Sequence, residues 1–319
     1  MHVVPSPVTE PDDLRAMMPG PAEIERWVLA YLRHAPVSLV VREVNRLIAF
    51  AAVSPDTRAS ARGLHSGPDT RASARGLHSG GGRGPVLDVG CGDGFWWTVR
   101  DEKREVYGVD ISEREITQAK KHIHAELTDV SRETPFPAVK FGEIIGNCSL
   151  EHIPDIDAAL SHLRRASLPD GRLLMFVPTP RWAYQGRLQR LLLDRAPRLA
   201  MTLSGALNGF FQHWHLYDAK VWTRLLAQNG WRVTATYGLG SSRSEFLFRL
   251  FMPPAFGEFL IKKATGRYPS KLGAGVPDSV IGPLVKLVTW AVHDPLVAAD
   301  SPTAYEYLIV AEAAEQPAR

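Results

Sequence analysis

The sequence is short of cysteine, of net charge and of long apolar runs. Its two cysteines, Cys91 and Cys148, both lie in apolar, strand-like segments. That excludes a disulfide-stapled scaffold and suits the reduced core thiols of a cytosolic protein. The formal charge is only +3. Four arginines, Arg58, Arg62, Arg71 and Arg75, sit in one low-complexity stretch instead of on a helix face. The clustered basic surface of a nucleic-acid binder is missing, and no nucleic-acid partner is expected. No window reaches the roughly 18 uninterrupted apolar residues of a membrane span. The nearest, from Leu284 to Ala299, is broken by Lys286, His293 and Asp294. The opening MHVVPSPVTEPDDL has neither the basic start nor the apolar run of an export signal. A soluble or peripheral, cytoplasmic protein is the expectation.

What is present is an ordinary globular balance, 45% hydrophobic and 22% charged, in a chain long enough to bury a sizeable core. Ile24, Trp27, Val28, Tyr31 and Leu32 recur at helical spacing, as do Val40, Val44, Leu47 and Ile48. Residues 1–53 therefore read as an N-terminal helical lid, with Pro36 at the boundary between two helices. PDTRASARGLHSG then fills 55–67 and recurs unchanged at 68–80. Each copy offers one leucine, too little apolar surface for a solenoid repeat, so 54–84 reads as a flexible linker.

From Pro85 onward strands and helices alternate. VLDVG, EVYGVD, HAEL, FGEIIGN and GRLLMFV are strand-like, with helices at 112–122 and 154–168 between them. Such alternation implies a mostly parallel sheet with helices on both faces. A late helix runs from the cap Asp218 to the stop Gly230, followed by strands at 231–237 and 304–313. Helical insertions at 182–211 and 241–300 interrupt this plan, and a compact sheet does not require them.

VLDVGCGDG leaves the first strand with glycines at 90, 92 and 94, residues that reach positive φ and let backbone approach a ligand closely. Asp110 closes the second strand 20 residues after Gly90, the spacing at which an acid meets ribose hydroxyls in dinucleotide folds. NAD would fit that spacing. The NAD fingerprint, however, wants a small residue at position 95, which is Phe. An NAD-dependent oxidoreductase is thus the weaker alternative.

In VLDVGCGDG the chain resembles motif I of class I S-adenosylmethionine-dependent methyltransferases. VYGVDIS, ELTDV, FGEIIGNCSLEHIPD and LPDGRLLMFVPTP resemble their successive motifs in order, and 213–237 resembles the late helix and strand of the quinone-biosynthesis group. The resemblance implies a doubly wound, Rossmann-like, mostly parallel seven-stranded sheet with an antiparallel last strand, in a domain spanning 85–319. It implies S-adenosylmethionine as cofactor. Asp88, Gly90, Gly92 and Gly94 would then shape the methionine and ribose part of the pocket, Asp110 would hold the ribose, and Ile111 would pack on the adenine. Asp129 and the Val130 backbone would meet the adenine edge, and Asn147 and Ser149 would flank the methionine end. Gly142 departs from the family by replacing the aspartate of its F-D pair. A local effect on stability is expected from that, and a catalytically silent S-adenosylmethionine-binding module is the other alternative.

Methyl transfer from a sulfonium depends mostly on positioning, and a general base is needed only for acceptors such as hydroxyls. His152, His213 and His215 are the candidates, with His213 and His215 expected to face one way on an extended segment near the acceptor. No metal is expected, because two histidines without a third ligand make a weak site. The apolar insertions point to a small or lipid-linked acceptor, methylated on oxygen, and to peripheral membrane contact, with extra core or a dimer face as their other use.

Overall fold

The computed structural model describes residues 12–54, 84–100, 102–184, 187–266, 269 and 277–314. The tandem repeat, read as a linker, lies outside the described residues. In chain order the elements are α1 (Asp12–Arg15), α2 (Pro21–Leu32), α3 (Val37–Val53), β1 (Val86–Val89), α4 (Phe95–Thr98), β2 (Val106–Asp110), α5 (Glu113–Ala119), β3 (His124–Leu127) and β4 (Phe141–Asn147). They continue as α6 (Ile156–Ala166), β5 (Ser167–Pro178), α7 (Arg187–Arg195), α8 (Pro197–Phe211), α9 (Ala219–Gln228), β6 (Trp231–Leu239), α10 (Ser242–Leu250), α11 (Met252–Thr265), α12 (Asp278–Val292), β7 (Leu296–Ala298) and β8 (Glu306–Ala313).

The strands form one sheet in the order β3-β2-β1-β4-β5-β8-β6-β7. β1 pairs in parallel with β2 and β4, as do β2 with β3 and β4 with β5, whereas β8 runs antiparallel to β5. The sheet has eight strands where seven were expected. The extra one is β7, whose three residues are too few to show a two-residue alternation in the sequence. Every residue of β1 and nearly every residue of β4 is buried, as in a sheet covered on both faces, and this is why VLDV and FGEIIGN read as continuous apolar runs. The strand order reverses between β1 and β4, which opens a crevice at their carboxyl ends.

Local signals set the element ends. Asp218 caps α9, its Oδ1 accepting Val221 N–H at 2.9 Å, and Gly230 takes φ +79° just beyond. Asp155 caps α6 in the same way, accepting Ala158 N–H at 3.0 Å. Gly142, near the start of β4, lies against Gly84, where a Cβ would stand 2.8 Å from the Gly84 nitrogen. The family's aspartate has no room there, so the departure at this position belongs to a close approach of two backbones.

The described residues divide into two compact units. One holds β1–β5, most of β6, β8 and the helices among them, and the other joins the segment ending at Ser54 to Leu239–Ala304. In this second unit α3 is buried almost all round and packs against α2, α10, α11 and α12. The Arg42 guanidinium lies 4.1 Å from the centroid of the Phe248 ring, and Ser241 Oγ donates to the Ala291 carbonyl at 3.3 Å. The opening helices and the late helices thus share one core, which a single amphipathic helix cannot supply for itself. No helix among the described residues is long and apolar enough to cross a membrane.

Candidate active site

β1 ends in a turn in which Gly90, Gly92 and Gly94 have φ of +74°, +54° and +73°. Gly90 N–H and Cys91 N–H both donate to the Val109 carbonyl, at 2.8 and 3.0 Å, which bends the chain back over the end of β2. A Cβ on Gly90 would stand 2.5 Å from Ser149 Cβ, so the segment after β4 closes directly on this turn. Gly94 packs on α5, where a Cβ would meet the Ala119 Cα at 3.2 Å. The helix that follows is a single turn, α4. It is too short to add much dipole, so the binding groups of this end are backbone amides and not a helix terminus.

Asp110 faces the turn. Its Oδ2 accepts Gly92 N–H at 3.0 Å and its Oδ1 accepts Ser112 N–H at 2.9 Å. A carboxylate oxygen has room for a second donor, so both remain able to receive ribose hydroxyls. Burial raises the Asp110 carboxyl above its usual range, although the amides of Ser112 and Gly92 oppose this. Ile111, the next residue, is 78% exposed, an apolar side chain left in solvent at the lip of a nucleotide turn. The hydroxyl of Ser149 is buried and has no partner.

The other expected contacts are placed less simply. Asp88 is buried within β1 and its Oδ2 accepts the indole N–H of Trp97 at 2.7 Å, so it holds α4 against the strand. Asp129 already accepts Ser131 N–H at 3.0 Å and Ser131 O–H at 2.6 Å, and pairs with Arg132 at 3.1 Å. The Ser131 hydroxyl holds its carboxyl below the usual range, burial pulls the other way, and Ser131 N–H and Arg132 add to the lowering. Val130 is buried beside it. Asn147 ends β4, level with Phe176 of β5. Cys148 follows with φ +49°, a strained conformation for a non-glycine residue of the kind that collects at functional sites. Both cysteines are free, and burial, with Asp88 and Asp110 nearby, pushes the Cys91 thiol up.

The histidines do not group as their spacing suggested. His213 stacks on His152, with ring centroids 5.2 Å apart and planes 21° from parallel. His215 goes elsewhere: its Nε2 lies 2.8 Å from the Ile153 carbonyl and its Nδ1 3.1 Å from the Tyr217 hydroxyl. A carbonyl only accepts, so Nε2 carries the proton and Nδ1 receives Tyr217 O–H; both nitrogens are engaged in holding the loop. The extended-strand reading failed because Trp214 N–H and His215 N–H both donate to the Glu151 carbonyl, which turns the chain between the two histidines.

His152 Nδ1 lies 3.2 Å from the Gln212 carbonyl and so donates to it, and its Nε2 lies 3.6 Å from Glu151 Oε1. Gln212 offers that carbonyl from a left-handed conformation, φ +55°, that ends α8. Trp182 meets the His213 ring edge-on at 4.9 Å and Phe211 stacks on it at 5.8 Å. The donor atoms of Glu151, His152 and His213 lie within 4.8 Å of one another, so a third group of metal-ligand type stands where none was expected. Sequence reading missed Glu151, Gln212 and Trp182 in this cluster. Glu151 and Gln212 were signalled by their places beside His152 and His213, whereas Trp182 comes from a segment that only the fold brings there.

A family model described as a methyltransferase domain matches residues 41–236. The chain belongs to that family. Methyl transfer from S-adenosylmethionine is therefore the activity of this methyltransferase, and the oxidoreductase alternative falls away. Its turn fits the cofactor: a glycine cradle that a Cβ would fill, a buried acid facing it and an exposed isoleucine beside the acid. Solved structures similar to it include the YcgJ protein from Bacillus subtilis, at 13% identity and a TM-score of 0.41, covering 74% of this chain and 94% of that one. A geranyl diphosphate methyltransferase in complex with GPP and sinefungin is similar at 14% identity and a TM-score of 0.44, covering 72% of this chain and 71% of its own. A TehB-like S-adenosylmethionine-dependent methyltransferase from Corynebacterium glutamicum matches at 17% identity and a TM-score of 0.33, covering 48% and 68%. No curated protein matches the sequence at a significant level.

Proposed function

We propose that this methyltransferase methylates a hydroxyl oxygen on a small or lipid-linked acceptor, delivered to the carboxyl end of β4. The observation that carries this reading is the His152–His213 stack, directly after the segment that closes on the glycine turn. When bound, S-adenosylmethionine supplies an electrophilic methyl carbon on a sulfonium.

Gly90, Gly92 and Asp110 bind and orient the cofactor, with Ile111 as the apolar rest for its base. His152, its proton fixed on Nδ1 by Gln212, presents Nε2 to accept the proton of an acceptor hydroxyl. Glu151, 3.6 Å from that nitrogen, stabilises the imidazolium that results. Trp182 and Phe211 set an aromatic side against His213, Trp182 meeting both rings edge-on. The silent-binder reading loses its only hint, because Gly142 lies near the start of β4 against Gly84 and away from this cluster.

The test is calorimetric titration with S-adenosylmethionine, S-adenosylhomocysteine and NAD, followed by turnover on paired hydroxyl and amine acceptors. Binding of the two sulfur nucleotides with transfer to hydroxyls that depends on His152 supports the reading. Transfer to amines alone, or transfer indifferent to His152→Ala, overturns it.

A further inference from the structure

The second unit carries a surface that the methyl-transfer chemistry does not use. Three of its helices each leave an apolar stripe in solvent with a cation about one turn away. On α10 the stripe is Phe246 and Leu250, following Arg243; on α11 it is Phe256 and Leu260, preceding Lys263; on α12 it is Leu287 and Trp290, beside Lys286. Phe246 is 62% exposed and Trp290 51%. Single exposed apolar residues are commonplace, but this many large ones on three successive helices mark an interaction surface. The Arg243 guanidinium lies 4.8 Å from the Trp290 ring centroid, which joins the α10 and α12 stripes into one patch.

The charges say what the patch meets. Among the described side chains of these helices the exposed charges, Arg243, Lys263 and Lys286, are all positive. Glu245 is largely buried in an ion pair with Arg249 at 3.1 Å, and Glu258 is half-buried. Asp294, just past α12, turns into an ion pair with Arg15 at 3.3 Å. A second copy is a poor occupant, because a two-fold interface sets a patch against itself and would bring these cations together with no acid between them. Crossing the bilayer is not available to these helices. Apolar stripes rimmed by cations, with a tryptophan whose ring carries an arginine, suit helices lying in the interface of an anionic bilayer.

We propose that α10, α11 and α12 dock this protein on membranes rich in anionic phospholipid, with Phe246, Leu250, Leu287 and Trp290 entering the acyl boundary and Arg243 and Lys286 on the phosphates. The docking does not depend on which acceptor is methylated. It would keep the enzyme where lipid-linked substrates are found.

The test is co-sedimentation of the full chain with phosphatidylglycerol vesicles and with phosphatidylcholine vesicles, at low and high salt. Binding to the former is expected to exceed binding to the latter and to fall with salt. Arg243→Gln and Lys286→Gln should each weaken it by about fivefold. Phe246→Ser with Trp290→Ser should abolish it, while both sets of variants keep the parent's melting temperature and S-adenosylmethionine titration. A well-folded chain that ignores phosphatidylglycerol, or variants that bind as the parent does, would overturn the proposal. So would a dimer in solution that Phe246→Ser with Trp290→Ser splits, since the patch would then be a self-interface. Loss of cofactor binding in the parent, with vesicle binding intact, would strike the cofactor site and leave this proposal standing.

Discussion

Asp110 Oδ2 accepts the backbone N–H of Gly92 at 3.0 Å, so the acid that ends β2 and the glycine turn that ends β1 hold each other in place. The carboxylate therefore positions the cradle and also offers lone pairs to the cofactor. At about 1.5–3 kcal/mol for a hydrogen bond to a charged group, Asp110→Asn should weaken S-adenosylmethionine binding by roughly tenfold to a hundredfold. Binding needs the ionised acid, whose pKa burial raises, so affinity should fall on acidification at a higher pH than an ordinary carboxylate would give. Calorimetry across a pH series checks both, and a parent whose affinity stays flat down to the usual carboxylate range would contradict the second.

Two glycines should separate binding from stability. Gly90 is at φ +74° with Ser149 Cβ in the path of any side chain, so Gly90→Ala should displace the segment after β4 and abolish measurable cofactor binding. Gly142→Asp instead presses on Gly84 near the start of β4 and should cost about 1–3 kcal/mol of stability by overpacking, with cofactor affinity unchanged in the folded protein. Thermal melting paired with calorimetry reads the difference.

His152 and His215 should fail in different assays. His152→Ala is expected to lower kcat on a hydroxyl acceptor by about 10²–10⁴-fold, the usual contribution of a general base, with cofactor affinity retained. His215→Ala leaves the half-buried Ile153 carbonyl without its donor and should cost about 1 kcal/mol of stability, with kcat of the folded fraction close to the parent's. A large kcat effect at His215 with normal melting would reverse the two roles.

At the other end of the sheet, Glu102 accepts Arg104 Nε–H at 3.0 Å and pairs with Arg100 at 3.2 Å, while Arg104 also pairs with Glu143 at 3.1 Å. Burial alone would raise the Glu102 carboxyl, but Arg104 and then Arg100 outweigh it and hold it below its usual range. A carboxyl depressed on folding contributes stability that is complete above its unfolded pKa, about 4.3, and is lost as pH falls through the lower folded value. Glu102→Gln should lose that acid limb and be less stable near neutrality by about 1–3 kcal/mol, because Arg100 and Arg104 each lose a charged contact while Arg104 keeps Glu143. Melting curves from neutral pH into the acid range test this, and a variant as stable as the parent at neutral pH would show the network to be idle.

Much of the sheet was legible because its signals are local. Parallel strands buried on both faces are continuous apolar runs, and Asp218 and Gly230 marked the ends of α9 by their own backbone chemistry. The cofactor turn was legible for the same reason: three glycines and an acid at fixed spacing describe backbone conformations that few other residues adopt. The acceptor side was not. His213 and His215 are two residues apart, yet one stacks on His152 and the other is tied to Ile153, because both neighbouring amides are drawn to the Glu151 carbonyl.

The sequence by itself determined the family, the cofactor turn and most of the strands and helices, since each rests on contacts between residues near one another in the chain. Only the tertiary structure decided that the opening helices share a core with residues 239–304, that Asp88 serves Trp97, and that Glu151, His152 and His213 form one cluster. The first and the last are meetings of segments dozens to hundreds of residues apart, and the second, nine residues along the chain, needs α4 to fold back on β1. Which apolar face finds which partner is set by the packing of the whole unit, and no local pattern records it.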